Sequence, residues 1–422
     1  MQAVAQAQGL IGIGLILAIA WAGSEDRRAT PPWRWILGAI LMQFALALLI
    51  TRAPIVWDAL RLANAGVSAI ERATLVGSSY MFGYAGGGPI PFVLREGAEA
   101  PLIIAFQILP LVIVFSALSA LFWHWGALKA MVRGLSFVLR RTLGVSGVVG
   151  LSGGANLFLG VVESPLVVRA YFEKMNRSEL FAVMVLAMST ISGAILILYA
   201  QTLSKTLPDA VGHMISASII SLPAAILIAR LMAPGDGATD ADLQDPSLRY
   251  ETSIDALVRG TMDGVQLFLA VIGIIIVMFA LVALVDQALA LGPDVGGAPV
   301  TLRRAFGWFL SPVMWTLGVP WSEAPTAGAL MGTKAILNEY VAYLDLAALP
   351  AEAFSPRTKL IVAYALCGVA NLASVGLIVS TISTLAPARR GDVASLGMKS
   401  WLAGNLTSMM TGAMIGLVTL PG

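Results

Sequence analysis

Long apolar stretches alternate with short polar ones along most of this chain. Eight of them, at about 8–23, 35–52, 101–123, 179–200, 212–233, 264–290, 357–385 and 399–419, are predicted as spans. A helix needs roughly 20 apolar residues to cross about 30 Å of hydrocarbon. Three other stretches set charges at near-helical spacing against an apolar face, the pattern of helices that lie in the membrane interface. They are 54–78 (Asp58, Arg61, Glu71 and Arg72 against Trp57, Leu60, Ile70 and Leu75), 127–143 (Lys129, Arg133, Arg140, Arg141) and 250–263 (Glu251, Asp255, Arg259, Asp263). The first apolar run lacks a basic flank before it and is expected to be a retained span. The polar stretch 234–249, with Asp236, Asp240, Asp242 and Asp245, is the one linker and separates two halves of similar layout.

Two regions break the pattern. Gly153-Gly154-Ala155-Asn156-Leu157-Phe158-Leu159-Gly160-Val161-Val162-Glu163-Ser164-Pro165 and Thr333-Lys334-Ala335-Ile336-Leu337-Asn338-Glu339-Tyr340-Val341-Ala342-Tyr343 are apolar, short and interrupted by carboxylates. Each is predicted as a helical hairpin that goes into the membrane and turns back, because non-helical backbone at that depth survives only inside protein or beside a watery cavity. Each is followed by an apolar helix with a small polar interruption: Met188-Ser189-Thr190-Ile191-Ser192-Gly193 after the first, Cys367-Gly368-Val369-Ala370-Asn371 through Ser374 after the second. The approach repeats as well, with Arg140-Arg141 and Thr142-Leu143-Gly144-Val145 in one half, and Arg303-Arg304 and Thr316-Leu317-Gly318-Val319 in the other. Paired interrupted segments in two halves point to the binding site of a secondary transporter.

Composition narrows the class. Hydrophobic residues make up 58% of the chain and charged residues 12%, about half the share of a soluble domain. A net charge of +2 excludes a polyanion partner such as nucleic acid. One cysteine, Cys367, and two histidines, His124 and His213, argue against a disulfide scaffold, a Cys/His metal site and an intramembrane enzyme. Arg27, Arg28 and Arg34 after the first span, and Arg389, Arg390 and Lys399 before the last, place those loops inside. Both termini are then expected outside. The intramembrane carboxylates are functional by default; ion pairing of Glu163 or Glu339 with Lys334 or Arg169 is the structural alternative.

Four ordered motifs carry a resemblance over roughly residues 75–420: Asn156 with Gly160-Val161-Val162-Glu163-Ser164-Pro165, Ser189-Thr190-Ile191-Ser192-Gly193, Asn338-Glu339-Tyr340-Val341-Ala342-Tyr343, and Cys367-Gly368-Val369-Ala370-Asn371 with Ser374. Together they resemble the concentrative nucleoside transporter family. The resemblance implies an all-α polytopic membrane protein of eight transmembrane helices and two re-entrant helical hairpins in inverted repeats, with interfacial helices. It implies a homotrimer in a bacterial inner membrane, nucleoside as small-molecule substrate, sodium as coupling ion and no organic cofactor. The domains follow: scaffold N-terminal helices with an interfacial helix in 1–126, a first transport repeat (re-entrant hairpin and interrupted helix) in 127–233, linker, interfacial helix and scaffold helix in 234–299, and a second transport repeat with the C-terminal helix in 300–422. By position, Glu163 faces the nucleobase, Glu339, Asn371 and Ser374 meet the ribose, and Ile195 and Val369 pack on the nucleoside. Asn156 and Thr190 fall at side-chain ligand positions for sodium, and the carbonyls of Leu159 and Ile191 at main-chain ones. Proton coupling through Glu163 or Glu339 stays open as the alternative, as does a modified nucleoside as the substrate.

One departure matters. Many bacterial members of that family carry Gln-Thr just before the first hairpin's Glu, and here Val161 and Val162 stand there. An apolar pocket discriminates polar base edges weakly, so the base preference is expected to differ. Replacing the pair, V161Q with V162T, should shift the ranking of nucleosides toward pyrimidines. A competition-uptake panel reads this out, and an unchanged ranking means the two valines do not face the base.

Overall fold

The computed structural model describes residues 2–29, 31–94, 102–161, 163–235 and 248–419. Apart from one isolated bridge between Val295 and Ala298, its regular elements are all helical. The chain opens with α1 (Gln2–Ala22), α2 (Trp33–Arg52) and the amphipathic α3 (Pro54–Phe82). The next span is nicked into α4 (Ile104–Gln107) and α5 (Pro110–His124), because Pro110 cannot donate to the preceding turn. Then α6 (Ala127–Leu143) buries Val132, Ser136, Leu139 and Leu143 at helical spacing and leaves Arg133, Arg140 and Arg141 exposed. Gly126 and Gly144 bound it in the left-handed region, at φ 86° and 58°.

The first repeat is α7 (Gly147–Asn156), α8 (Glu163–Val167), α9 (Arg177–Ser189), a break over 190–192, α10 (Gly193–Leu203) and α11 (Ala210–Met232). After it comes α12 (Ser253–Leu289). The second repeat is α13 (Leu302–Thr316), α14 (Ala324–Ile336), α15 (Glu339–Ala348), α16 (Pro356–Leu366), a break over 367–371, α17 (Leu372–Leu385) and α18 (Arg390–Val418). Both interruptions predicted from small polar residues are present.

The two hairpins start from opposite ends of the bundle. Arg230, in the last turn of α11, donates to Gly144 O at 2.9 Å just ahead of α7, and its guanidinium lies 4.6 Å over Trp35 at the start of α2. Arg177 at the start of α9 pairs with Glu25 (2.8 Å) and with Asp392 at the start of α18 (3.0 Å). The first hairpin therefore begins beside the basic loops. At the other end, Glu323 ahead of α14 accepts from the N–H and hydroxyl of Ser355 ahead of α16, both at 3.3 Å. Nearby Arg357 donates to Gly318 O (2.5 Å) and to Gly416 O near the end of α18 (2.8 Å). The repeats are thus inverted with respect to each other.

Small residues set the closest crossings, as expected where lipid supplies no hydrophobic drive between helices. A Cβ on Gly264 of α12 would sit 2.7 Å from the Ile113 Cα of α5, so these two helices meet backbone to backbone. Gly404 lets α18 pass between Ala370 and Met188, one beside each break. The remaining surface of α12 is exposed along Leu269, Ile276, Val277, Phe279 and Leu284, as a bilayer-facing helix requires.

One expectation is corrected here. Residues 250–263 form no separate interfacial helix. Thr252 caps by accepting from Asp255 N at 3.0 Å, and the helix then runs unbroken for 37 residues, roughly 55 Å. Its charged turns extend a spanning helix beyond the apolar layer; Asp255 and Arg259 pair along its own surface at 2.7 Å.

The Glu25 cluster yields a pH prediction. Hydrogen bonding from Arg177, with Lys399 adding at 2.8 Å and burial opposing, holds the Glu25 carboxyl down at about 2 against an ordinary 4.5. Its folded value is the lower one, so its stabilisation is present above pH 4.5 and is lost as pH falls toward about 2. Thermal unfolding of wild type and E25Q should differ at neutral pH, with E25Q melting lower, and the two curves should converge across that acid window.

Candidate functional site

The two breaks and the two hairpin tips converge in the middle of the bundle. Gly368, at φ 140° in the second break, lies so close to the first that a Cβ there would stand 3.1 Å from Ser189 O. Gly193 N, after the first break, donates to Phe158 O in the first hairpin tip at 3.4 Å.

Glu339 opens α15 and is buried. Asn338 caps the same helix by accepting from Tyr340 N at 2.6 Å. A carboxylate at a helix start meets the positive end of the helix dipole. Its Oε1 accepts from the Tyr199 hydroxyl of α10 at 2.6 Å, and its Oε2 from Asn371 Nδ2 at 2.7 Å. Asn371 in turn caps α17, its Oδ1 accepting from Ser374 N at 2.9 Å. Tyr199 stacks on Tyr340 with ring centroids 5.6 Å apart and tilts against Tyr343 at 5.0 Å. Glu339, Asn371 and Ser374 are therefore brought together as expected, with buried Val369 in the adjoining break. Ile195 lies one turn before Tyr199 on α10, half-buried, and Val161 is half-buried at the first hairpin tip. Val162 lies outside the described residues, as does the side chain of Glu163.

The second group is built on Asn156. Its Nδ2 donates to Leu186 O and to Thr190 Oγ1, both at 2.5 Å, and its Oδ1 accepts from Ser164 Oγ at 2.8 Å. Asn156 ends α7, Thr190 follows the last turn of α9, and both are buried. Unsatisfied carbonyls and the negative dipole end of each helix therefore gather here. Amide, hydroxyl and main-chain oxygens are the hard, neutral donors that an alkali cation takes. Among the described residues, no group of three or more His, Cys, Asp and Glu could hold a metal ion. Leu159 follows α7 with its N–H tied to Ala155 O at 2.8 Å, and Ile191 is buried in the break. The Asn156 group offers donors of that kind.

Three features were missed in the sequence. Ser164 stands inside a recognised motif, and its hydroxyl beside Asn156 and Glu163 was the available signal. Tyr199 had no local signal, since the partner it binds lies 140 residues away. Lys334 entered only as an alternative ion-pair partner for the carboxylates. In the structure its ammonium donates to Asn405 Oδ1 (2.9 Å) and Ser408 Oγ (2.8 Å) of α18, and meets no carboxylate at ion-pairing distance among the described residues. Arg169 is exposed.

Comparison with known proteins agrees with this architecture. Three family models match: the C-terminal part of the Na+ dependent nucleoside transporters over residues 213–416, their N-terminal part over 11–85, and a nucleoside recognition gate over 105–206. An uncharacterized transporter of Haemophilus influenzae is 33% identical over 97% of this chain and 96% of its own. The nucleoside permease NupC of Helicobacter pylori is 29% identical over 97% of this chain and 96% of its own. The structure of CNTnw in an inward-facing substrate-bound state superposes with a TM-score of 0.86 at 34% identity, covering 97% of this chain and 98% of that one. A CNTnw variant in an outward-facing state also gives 0.86, at 33% identity over 98% and 97%.

The geometry around Glu339 makes Tyr199→Phe informative. It removes one of the two side-chain donors to a buried carboxylate, a cost of about 1–3 kcal/mol. Melting of the purified variant in detergent should fall accordingly, and an unchanged melting temperature would mean the hydroxyl contributes nothing to the cluster.

Proposed function

The chain belongs to the concentrative, Na+-dependent nucleoside transporter family, and from that premise we propose that it imports nucleosides across the bacterial inner membrane by sodium symport. It is a carrier and not an enzyme. In this reading it works as a homotrimer. The two hairpins are re-entrant, and they travel with the broken helices as one transport domain past a scaffold that includes α3, α5 and α12.

The observation that carries the substrate reading is the environment of Glu339. An ionised carboxylate, already oriented by Tyr199 and Asn371, can accept from the two vicinal hydroxyls of a ribose. The Ser374 N–H at the start of α17 holds Asn371 in place before substrate arrives, and Asn371 with Tyr199 holds Glu339. Val369, Ile195 and Val161 supply apolar contact for the sugar and base. Glu163 is the polar group proposed for the base edge, with Val161 and Val162 leaving it in an apolar setting.

Sodium coupling rests on the Asn156 group. A cation at Asn156, Thr190 and the carbonyls of Leu159 and Ile191 would tie the end of α7 to the end of α9. That ordering fixes the first hairpin tip and the break before α10, and α10 carries Tyr199. Sodium binding and nucleoside binding therefore stabilise each other, and the linkage is reciprocal.

Thermal-shift measurements on purified protein test both parts. Nucleosides should raise the melting temperature by mass action, and more in sodium than in choline at fixed pH. Free bases and nucleotides should do less. Glu339→Gln should abolish the nucleoside shift while the protein still folds. Equal shifts in both salts, with uptake following a pH gradient, would replace sodium by protons. A wild-type response in the Glu339 variant would remove that residue from the site.

A further inference from the structure

Lys334 is fully buried in α14, yet its two hydrogen-bond partners, Asn405 Oδ1 and Ser408 Oγ, are neutral. A desolvated amine with no opposite charge nearby gives up its proton, so Lys334 keeps its charge only if a carboxylate offsets it. The titratable groups around Glu339 are Tyr199 of α10, Tyr340 and Tyr343 of α15, Cys367 in the second break and Lys334 itself. Of these only Lys334 is cationic. Lys334, in the last turn of α14, and Glu339, at the start of α15, are thus both buried on the two arms of one hairpin and form no ion pair with each other.

The separation is built. Asn405 holds the ammonium with its Oδ1, and its Nδ2 donates to Ala370 O in the second break and to Trp401 O, both at 3.0 Å. Trp401 Nε1 donates to Ala335 O, the neighbour of Lys334, at 2.8 Å. The last helix thus grips the hairpin at Lys334 and Ala335, and the break at Ala370, one residue before Asn371. A direct salt bridge would occupy lone pairs on Glu339. Here those oxygens serve Tyr199, Asn371 and, in the proposed reading, the substrate.

We propose that Lys334 is a positioning residue whose fixed charge keeps Glu339 ionised for the substrate hydroxyls, while Asn405 anchors the ammonium away from the carboxylate. The inference rests on the reading of Glu339 as the ribose-binding group. It is tested by nucleoside affinity as a function of pH. Wild type should be flat between about pH 6 and about pH 8, and Lys334→Arg should retain that profile. Lys334→Met leaves an uncompensated buried carboxylate that takes up a proton, so affinity should drop by about tenfold and fall further on acidification. Asn405→Asp neutralises the ammonium in place and should give the same pH dependence if Lys334→Met does not fold. In melting experiments, adding E339Q to K334M should recover stability that K334M alone loses.

A flat, wild-type-like profile in Lys334→Met or Asn405→Asp overturns the inference, and so does an equal loss of stability with and without Glu339. The underlying reading fails separately: in that case E339Q alone binds nucleoside as wild type does.

Discussion

A helix broken inside hydrocarbon exposes backbone N–H and C=O groups that no water can satisfy, and this constraint organises the whole interior. The two breaks and two hairpin tips create such loose ends at one depth. Asparagines meet them, Asn156, Asn371 and Asn405 buried and Asn338 half-buried. Asn156 donates to Leu186 O, Asn338 and Asn371 accept from the first turns of α15 and α17, and Asn405 donates to Ala370 O. An amide offers a donor and an acceptor on one short stem, so a single side chain can satisfy the backbone and still hold a neighbour. Asn371 does both, with Oδ1 on Ser374 N and Nδ2 on Glu339. The residues that keep the broken backbone stable are thereby the residues that build the polar groups.

The two polar groups use opposite poles of the helices. Asn156 and Thr190 stand where α7 and α9 end, among carbonyls. Glu339 and Asn371 stand where α15 and α17 begin, among N–H groups. Inversion of the repeats thus puts helix C-termini at one polar group and helix N-termini at the other. None of the described basic groups touches the buried Glu339.

Much of this was legible along the chain, because the departures from a plain apolar span are chemically loud. Gly, Ser, Thr and Asn inside apolar runs mark breaks, and Glu163 and Glu339 would not survive in ordinary spans. The pairing of Asn156 with Thr190, and of Glu339 with Asn371, was implied by the family resemblance that the ordered motifs carry. What stayed hidden depends on packing between distant helices. An amphipathic pattern over 250–263 does not reveal whether the helix bends or runs straight on, and Tyr199 is one apolar-looking residue among many on α10. Lys334 is the clearest case. An ion pair with Glu339 stood as the alternative to a functional carboxylate, whereas an amide and a hydroxyl on the last helix bind the Lys334 side chain instead.

The touch between the two breaks at Gly368 carries a consequence of its own. With no side chain at that position, the first broken helix and the second share a surface at Ser189 O, so neither can fluctuate without the other. Any ligand that stills one break removes disorder from its neighbour in advance, and a second ligand then meets a smaller entropic cost. Cooperativity of that kind needs no displacement of atoms. It would show as a loss of motion at the second break when only the first is occupied.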